Sequence, residues 1–168
     1  HLLQVKGLVI EHGGQADQAI AGLLHDSLED AQSASDRAHR EQVILEKFGE
    51  SVLRMVSDCT DTLADEFLAE KRPWKERKDR YIAHLDEAGA DSLLVVACDK
   101  RHNLHAIVWD IRSQGLAIFD RFTGTPEQQV WYFESVLAKI ENAIPQRLRQ
   151  ELEDLLESLK ELIGNKGQ

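Results

Sequence analysis

The chain has 168 residues, and its 30 acidic residues exceed its 20 basic residues by 10. A domain of this length can bury a core that needs no disulfide or structural metal. The acidic excess argues against nucleic acid as a partner, because such a surface must neutralise phosphates with clustered basic residues. The two cysteines form no CxxC pair, no apolar run approaches the roughly 20 residues of a membrane span, and no signal-peptide pattern opens the chain. We therefore expect a cytoplasmic protein that does not contact a membrane.

Hydrophobic residues recur at helical spacing along almost the whole chain, with glycine or proline at most boundaries. In chain order, helices are predicted over residues 1–11, 17–28, 41–48, 50–57, 73–89, 92–114, 127–142 and 145–163. The spacing predicts that the first helix is buried and that the segment 60–72 is mostly loop. Residues 93–97 alone would also fit a buried strand, but the unbroken pattern that follows favours a helix. We expect one all-α domain over residues 1–163 and a disordered tail over 164–168.

Four ionisable residues crowd the end of the second predicted helix: His25, Asp26, Glu29 and Asp30. On a helix, His25 lies over Glu29 and Asp26 lies over Asp30, so all four project in one direction. Three carboxylates this close repel one another, and a divalent cation among them would relieve that repulsion. The alternative is a solvated helix end on which acidic residues happen to cluster.

A second group of polar residues begins at Asp99, which directly follows six apolar residues. An aspartate on a buried helix is costly unless it is paired or ligated. His1 adds a histidine at the start of the first predicted helix. His1 and His25 offer imidazole nitrogens while Asp26 and Asp99 offer carboxylates, and such a mixed donor set suits a divalent transition metal.

Basic and amide side chains near these motifs are candidates for substrate binding. Arg77 and Lys78 belong to a basic island on the fifth predicted helix and could clamp a phosphate, the alternative being an exposed helix surface. Lys100 and Arg101 lie beside an aspartate of the site, where they would neutralise substrate charge. Asn103 could donate to a phosphate or ribose oxygen, the alternative being an amide that caps nearby backbone.

The spacing of His1, His25-Asp26 and Asp99 resembles the H…HD…D pattern of the HD-domain metal-dependent phosphohydrolases. HDxxED at 25–30 and D-x-x-x-N at 99–103 are similar to the hydrolase domain of the RelA/SpoT alarmone enzymes and their small single-domain relatives. The phrases LVIEHGGQADQAIAGLLHDSLED, KFGESVLRMVSDCTDT and CDKRHNL extend the likeness over most of residues 2–110. The resemblance implies an all-α HD-domain helical bundle.

The resemblance also implies roles for individual residues. One metal ion, commonly manganese, would be bound by His1, His25, Asp26 and Asp99. Glu29 and Asp30 would assist hydrolysis. The chain departs from the family pattern at Leu2, where the family usually has proline, and in the motif CDKRHN, where it usually has ADRLHN. The likeness therefore supports hydrolysis of a phosphate ester more firmly than it supports any one nucleotide.

The chemistry of such a site can be stated without the family name. A divalent metal with four protein ligands keeps positions open for water and a phosphate oxygen, and it lowers the pKa of that water. Glu29 or Asp30, crowded by like charges, should have a raised pKa suited to accepting the proton of the water.

These observations lead to a ranked set of functions. We predict an enzyme that hydrolyses a guanosine 3',5'-bis(diphosphate)-type alarmone at its 3'-pyrophosphate. The first alternative is a phosphomonoesterase acting on a nucleotide or an NADPH-type dinucleotide. The second is a non-catalytic regulatory module that binds metal or nucleotide, against which the acidic pair at 29–30 argues. The apolar stripe of the last predicted helix fits a homodimer face or packing within its own domain.

Overall fold

The computed structural model describes residues 1–61 and 72–164. Within these ranges the chain is helical and contains no strand, so the all-α prediction is confirmed and residues 93–97 are helical. The helices are α1 (Leu2–Glu11), α2 (Ala16–Leu24), α3 (Ala34–Cys59), α4 (Trp74–His84), α5 (Ala90–Gln114), α6 (Pro126–Ile140) and α7 (Gln146–Gly164), with a short 3-10 helix (Leu116–Arg121) between α5 and α6. Most of the predicted loop (62–71) and of the predicted tail (165–168) lies outside the described residues.

None of the described helices combines the length and the apolar composition that crossing a membrane requires.

The central element is α5, whose residues 92–99 are buried without interruption. It packs against α1, α2, α3, α6 and α7. A helix that is apolar on all sides is stable only when other elements cover it on all sides. This position carries Asp99, the last residue of the buried stretch, into the interior of the domain.

The first helix is less buried than its composition suggests. Only Val5 and Val9 are buried in α1, whereas Leu3 is 76% exposed and Ile10 is 56% exposed. One face of α1 packs on α2 and α5, and the opposite face is left to solvent. The prediction of a buried first helix was wrong, because spacing gives the apolar content of a helix but not the number of its neighbours.

The second helix ends earlier than predicted, at Leu24, and the segment 25–30 continues as hydrogen-bonded turns. The Ser27 N–H donates to the Leu24 carbonyl over 2.8 Å, and the Asp30 N–H donates to the Asp26 carbonyl over 2.9 Å. Leu28 is fully buried and anchors these turns on the core. The ionisable residues of the first motif therefore project from turns rather than from a regular helix.

The third helix begins earlier than predicted and bends where the two short helices were expected to meet. Ser33 caps its start, since its side chain accepts a hydrogen bond from the Asp36 N–H over 3.1 Å. At Gly49 the backbone has φ 88° and ψ 173°, which interrupts the helical geometry. Only glycine adopts this conformation readily, so the bend depends on that residue.

The C-terminal helix packs within its own domain. One stripe of α7 is buried against α5 and α6. The buried members are Leu148, Leu152, Leu156, Leu159 and Ile163. Gly164, where the tail was predicted to begin, is the last residue of α7.

Replacing Gly49 should destabilise the domain through its backbone alone. No atom lies within 4 Å of a Cβ built at Gly49, so Gly49→Ala should lower the free energy of unfolding by about 1–3 kcal/mol from strain at positive φ. Gly7 has equal space but helical geometry, so Gly7→Ala should raise that free energy by about 0.5–1 kcal/mol. Urea unfolding of both variants measures the two signs. Equal effects in the two variants would contradict the assignment of the bend to Gly49.

Candidate metal centre

Four side chains from three parts of the chain converge between α1, α2 and α5. They are His1 at the start of α1, His25 and Asp26 after α2, and Asp99 in α5. His1 Nε2 lies 3.0 Å from His25 Nε2 and 3.1 Å from Asp99 Oδ1, and His25 Nε2 lies 3.2 Å from Asp99 Oδ1. The carboxylate of Asp26 lies 3.1 Å from His25 Nε2 and 3.5 Å from His1 Nε2. The structure therefore brings together all four residues that the sequence proposed as ligands.

The geometry of this cluster fits one cation. Ligand atoms that share an ion at bonds of about 2.0–2.3 Å lie roughly 3–3.5 Å from one another. The separations here fall in that range, and the donor atoms of His1, His25 and Asp99 all lie within 4.8 Å of one another. Two imidazole nitrogens and two carboxylates form a donor set suited to divalent transition metals.

The cluster has a closed side and an open side. The side chains of His25 and Asp99 are only 2% and 8% exposed, whereas those of His1 and Asp26 are 30% and 37% exposed. Structural metal sites are closed by protein ligands, whereas catalytic sites keep a position open for water or substrate. The exposure of His1 and Asp26 indicates such an open side.

The backbone of α2 orients His25. Its Nδ1 donates to the carbonyl of Gly22 over 2.9 Å, so Nε2 is the nitrogen that faces the centre. Burial lowers the pKa of His25, but hydrogen bonds to Asp26 and Asp99 outweigh burial and raise the pKa to about 10. The centre thus favours positive charge at this point, and a divalent cation would compete with that proton.

Two further residues of α5 hold Asp99. Lys100 Nζ donates to one carboxylate oxygen over 2.6 Å, and Asn103 Nδ2 donates to the other over 2.8 Å. Burial alone would raise the pKa of Asp99, but the charges of Lys100 and His25 lower it below its ordinary range. Asp99 is therefore ionised. Lys100 and Asn103, which were predicted to bind substrate, are hydrogen-bond partners of the Asp99 carboxylate.

The two acidic residues predicted to be catalytic differ in their surroundings. Glu29 is an exposed residue. Partial desolvation of its carboxyl group and, after that, the negative charge of Asp61 raise its pKa. Lys78 and Lys100 oppose this effect. Asp30 lies at the exposed end of the turns. The structure thus places Glu29 within the electrostatic field of the site.

The sequence did not single out Asp61, which pairs with the basic residues of α4. Its buried carboxylate accepts from Arg77 over 3.1 Å and from Lys78 over 2.5 Å. Burial would raise the pKa of Asp61, but Lys78 and Arg77 outweigh burial and lower it. The side chains of Arg77 and Lys78 are only 11% and 17% exposed, so they do not form an exposed helix surface. The sequence showed only that Asp61 precedes the basic residues of α4, and no residue spacing indicated that these side chains pair.

A cavity of about 320 Å³ opens beside the centre. Its lining combines three of the predicted polar residues with aromatic rings, and includes Lys78, Lys100, Asn103, Trp74, Phe122 and Tyr132. The buried hydroxyl of Tyr132 makes no hydrogen bond within the described structure. The cavity therefore joins the partners of Asp99 to a wall of aromatic side chains.

Two of the predicted substrate-binding residues do not line this cavity. Arg77 is held by Asp61. Arg101 donates to Glu151 of α7 over 3.0 Å, which ties α5 to α7. The structure thus brings three of the five predicted substrate-binding residues to one cavity and separates the other two from it.

Comparisons with known proteins agree with this architecture. A family model described as an HD domain matches residues 1–126. The crystal structure of lmo0812 from Listeria monocytogenes EGD-e superposes with a TM-score of 0.73, covers 98% of this chain and 99% of that chain, and shares 22% sequence identity. At this identity the likeness establishes the fold alone. No curated protein matches the chain.

One divalent cation should bind per chain, at His1, His25, Asp26 and Asp99. Asp99→Asn should weaken Mn²⁺ binding by more than the roughly 10–100-fold that changes outside the ligand set cause. Asp58→Asn is the matched control, because Asp58 is similarly buried and is also paired with a histidine. Equilibrium dialysis with elemental analysis gives the stoichiometry and the affinity. Equal metal binding by wild type and Asp99→Asn would refute the centre, and circular dichroism establishes that both variants are folded.

Proposed function

Because the chain belongs to the HD-domain family, whose members bind divalent metals and are generally hydrolases, we propose that it is a metal-dependent phosphohydrolase that acts on a nucleotide. The observation that carries this proposal is the four-residue centre, open on one side and adjoining a cavity with basic and aromatic walls. We further propose manganese as the metal, which the mixed imidazole and carboxylate donors accommodate.

The bound metal would polarise a phosphate oxygen and lower the pKa of a water molecule. The protein contributes the orientation of its donors. His25 presents Nε2 because the Gly22 carbonyl holds Nδ1, and Asp99 presents an ionised carboxylate because Lys100 and Asn103 fix both of its oxygens. Donors held in advance lose little freedom when they bind a cation.

Glu29 is the favoured general base. Its raised pKa brings proton transfer closer to neutral pH, where a base is most effective. Asp30, on the same turns and likewise exposed, would orient the water or pass the proton to solvent. The sequence left open which of the two acids takes the proton, and the surroundings of Glu29 favour that residue.

The cavity supports a nucleotide as substrate. Its volume lies at the lower end of the roughly 300–1,000 Å³ typical of small-molecule sites. The rings of Trp74 and Tyr132, whose centroids are 6.2 Å apart, offer apolar surface to a base. Lys78 and Lys100 offer two ammonium groups to phosphate oxygens. The leading candidate remains a guanosine 3',5'-bis(diphosphate)-type alarmone, hydrolysed at its 3'-pyrophosphate.

One observation favours the alternative of a phosphomonoesterase. Arg77 and Arg101, which were predicted to bind substrate, are both engaged by acidic side chains. The cavity is lined by two ammonium groups, Lys78 and Lys100, which are themselves paired with Asp61 and Asp99, and a substrate with two diphosphates would use more positive charge than they supply. A nucleotide or NADPH-type dinucleotide that carries a single phosphate ester needs only the metal centre and one nearby ammonium group.

The products distinguish these candidates. With Mn²⁺, the chain should release pyrophosphate from guanosine 3',5'-bis(diphosphate), and Asp99→Asn should abolish release while Asp58→Asn retains it. Chromatography of the nucleotides and separate assays of pyrophosphate and orthophosphate measure the outcome. Orthophosphate alone, released from a panel of 2'- and 3'-phosphorylated nucleotides, would establish the phosphomonoesterase. No release from any nucleotide with any divalent metal would leave the non-catalytic module.

Removing the proposed base should affect turnover but not metal binding. Glu29→Gln should lower kcat by about 10²–10⁴-fold, the usual contribution of general acid–base catalysis. Asp30→Asn tests the second acid, and Glu50→Gln, an exposed glutamate of α3, is the control for a lost charge. Steady-state kinetics and Mn²⁺ titration are measured on each variant. Losses below about tenfold in both Glu29→Gln and Asp30→Asn would mean that neither carboxylate is catalytic.

A further inference from the structure

A chain of hydrogen bonds joins His1 to His102 and Gln4 on the side of the His1 ring that faces away from the other candidate ligands. His1 Nδ1 lies 2.9 Å from His102 Nδ1, and the two rings meet edge to face with centroids 4.7 Å apart. His102 Nε2 lies 2.6 Å from Gln4 Oε1. The N–H of Gln4 donates to the His1 carbonyl over 2.9 Å, so the loop of contacts closes within the first turn of α1.

The direction of these hydrogen bonds follows from the atom at their end. An amide oxygen can only accept, so His102 Nε2 carries a hydrogen and donates it to Gln4. A neutral imidazole has one N–H, so His102 Nδ1 must accept, and His1 Nδ1 must donate to it. His1 Nε2 is then left with its lone pair. That atom is the one that lies 3.0 Å from His25 Nε2 and 3.1 Å from Asp99 Oδ1.

The two histidines of the centre turn Nε2 toward the other donors by different means. His25 donates from Nδ1 to the Gly22 carbonyl of its own helix. His1 stands at the very start of α1, where its Nδ1 faces a side chain, His102, rather than a carbonyl. The donor set needs both Nε2 lone pairs, and among the described residues it is the contact with His102 that selects the correct nitrogen of His1.

We propose that His102 and Gln4 are positioning residues that fix the tautomer and orientation of His1 and thereby set the affinity of the centre for its cation. The inference rests on the metal centre of the proposed function. His102 is not itself a ligand, because both of its ring nitrogens are turned to His1 and Gln4. Outer partners of this kind typically contribute 10–100-fold to metal affinity.

The first test observes the tautomers directly. Nitrogen-15 NMR of the full chain with Zn²⁺ bound reports which nitrogen of each imidazole carries hydrogen. The expected signature is hydrogen on Nδ1 of His1 and on Nε2 of His102. Hydrogen on Nε2 of His1, or on Nδ1 of His102, in the Zn²⁺-bound chain would overturn the proposal.

The second test measures Mn²⁺ affinity by competition with a chelator. His102→Phe should weaken Mn²⁺ binding about 10–100-fold. His102→Asn should bind Mn²⁺ almost as tightly as wild type, because the asparagine Oδ1 can accept the hydrogen bond from His1 that His102 Nδ1 accepts in wild type. Gln4→Lys replaces an acceptor by a donor, which reverses the chain of hydrogen bonds and should also weaken binding. His105→Lys adds a charge to an exposed position one turn further along α5 and is the control.

The outcomes separate this inference from the proposed function. If wild type binds Mn²⁺ and His102→Phe and Gln4→Lys bind it equally well, the positioning role is wrong and the centre stands. If wild type binds no divalent cation, the proposed function fails, and so does the inference that His102 sets metal affinity. If His102→Phe does not fold, the comparison of Gln4→Lys with His105→Lys decides.

Discussion

The buried carboxylate of Asp99 is the constraint around which the rest of the structure is arranged. It lies at the end of the most deeply buried stretch of α5, where an isolated charge would be strongly unfavourable. Lys100 and Asn103 satisfy it from its own helix, while His1 and His25 approach it from α1 and α2. Burying one acid in the interior of the domain therefore requires basic groups and hydrogen-bond donors around it, and the two histidines among them belong to the candidate metal centre.

The pairing of buried acids with basic groups extends from Asp99 into the cavity. Lys100, which neutralises Asp99, also lines the cavity beside Lys78, and Lys78 is in turn held by Asp61. Glu29 lies within the field of these charges, and its pKa reflects both the acids and the ammonium groups. The residues that stabilise the buried acid and those that would meet a phosphate thus form one electrostatic network, so substitutions within it should be strongly non-additive.

Features that depend on local spacing could be predicted from the sequence. Helical periodicity predicted the all-α fold. The residue types around His25 and Asp99 indicated a set of candidate ligands, and the structure brings these residues together. Contacts between distant segments could not be predicted in this way. Nothing in the spacing links Asp61 to Lys78 or shows which nitrogen of His1 faces the centre, because these depend on how the helices pack.

Metal binding and the packing of the first helix are physically linked. Only Val5 and Val9 of α1 are buried, and the face that carries them packs on α2 and α5. His1 and Gln4 add contacts with residues of the centre and of α5, and Glu11 pairs with Arg147 of α7. A cation bound to donors from α1, α2 and α5 would join these three elements at one point. Because a ligand that binds only the folded state adds its binding free energy to stability, the cation should hold α1 in place as well as supply the chemistry.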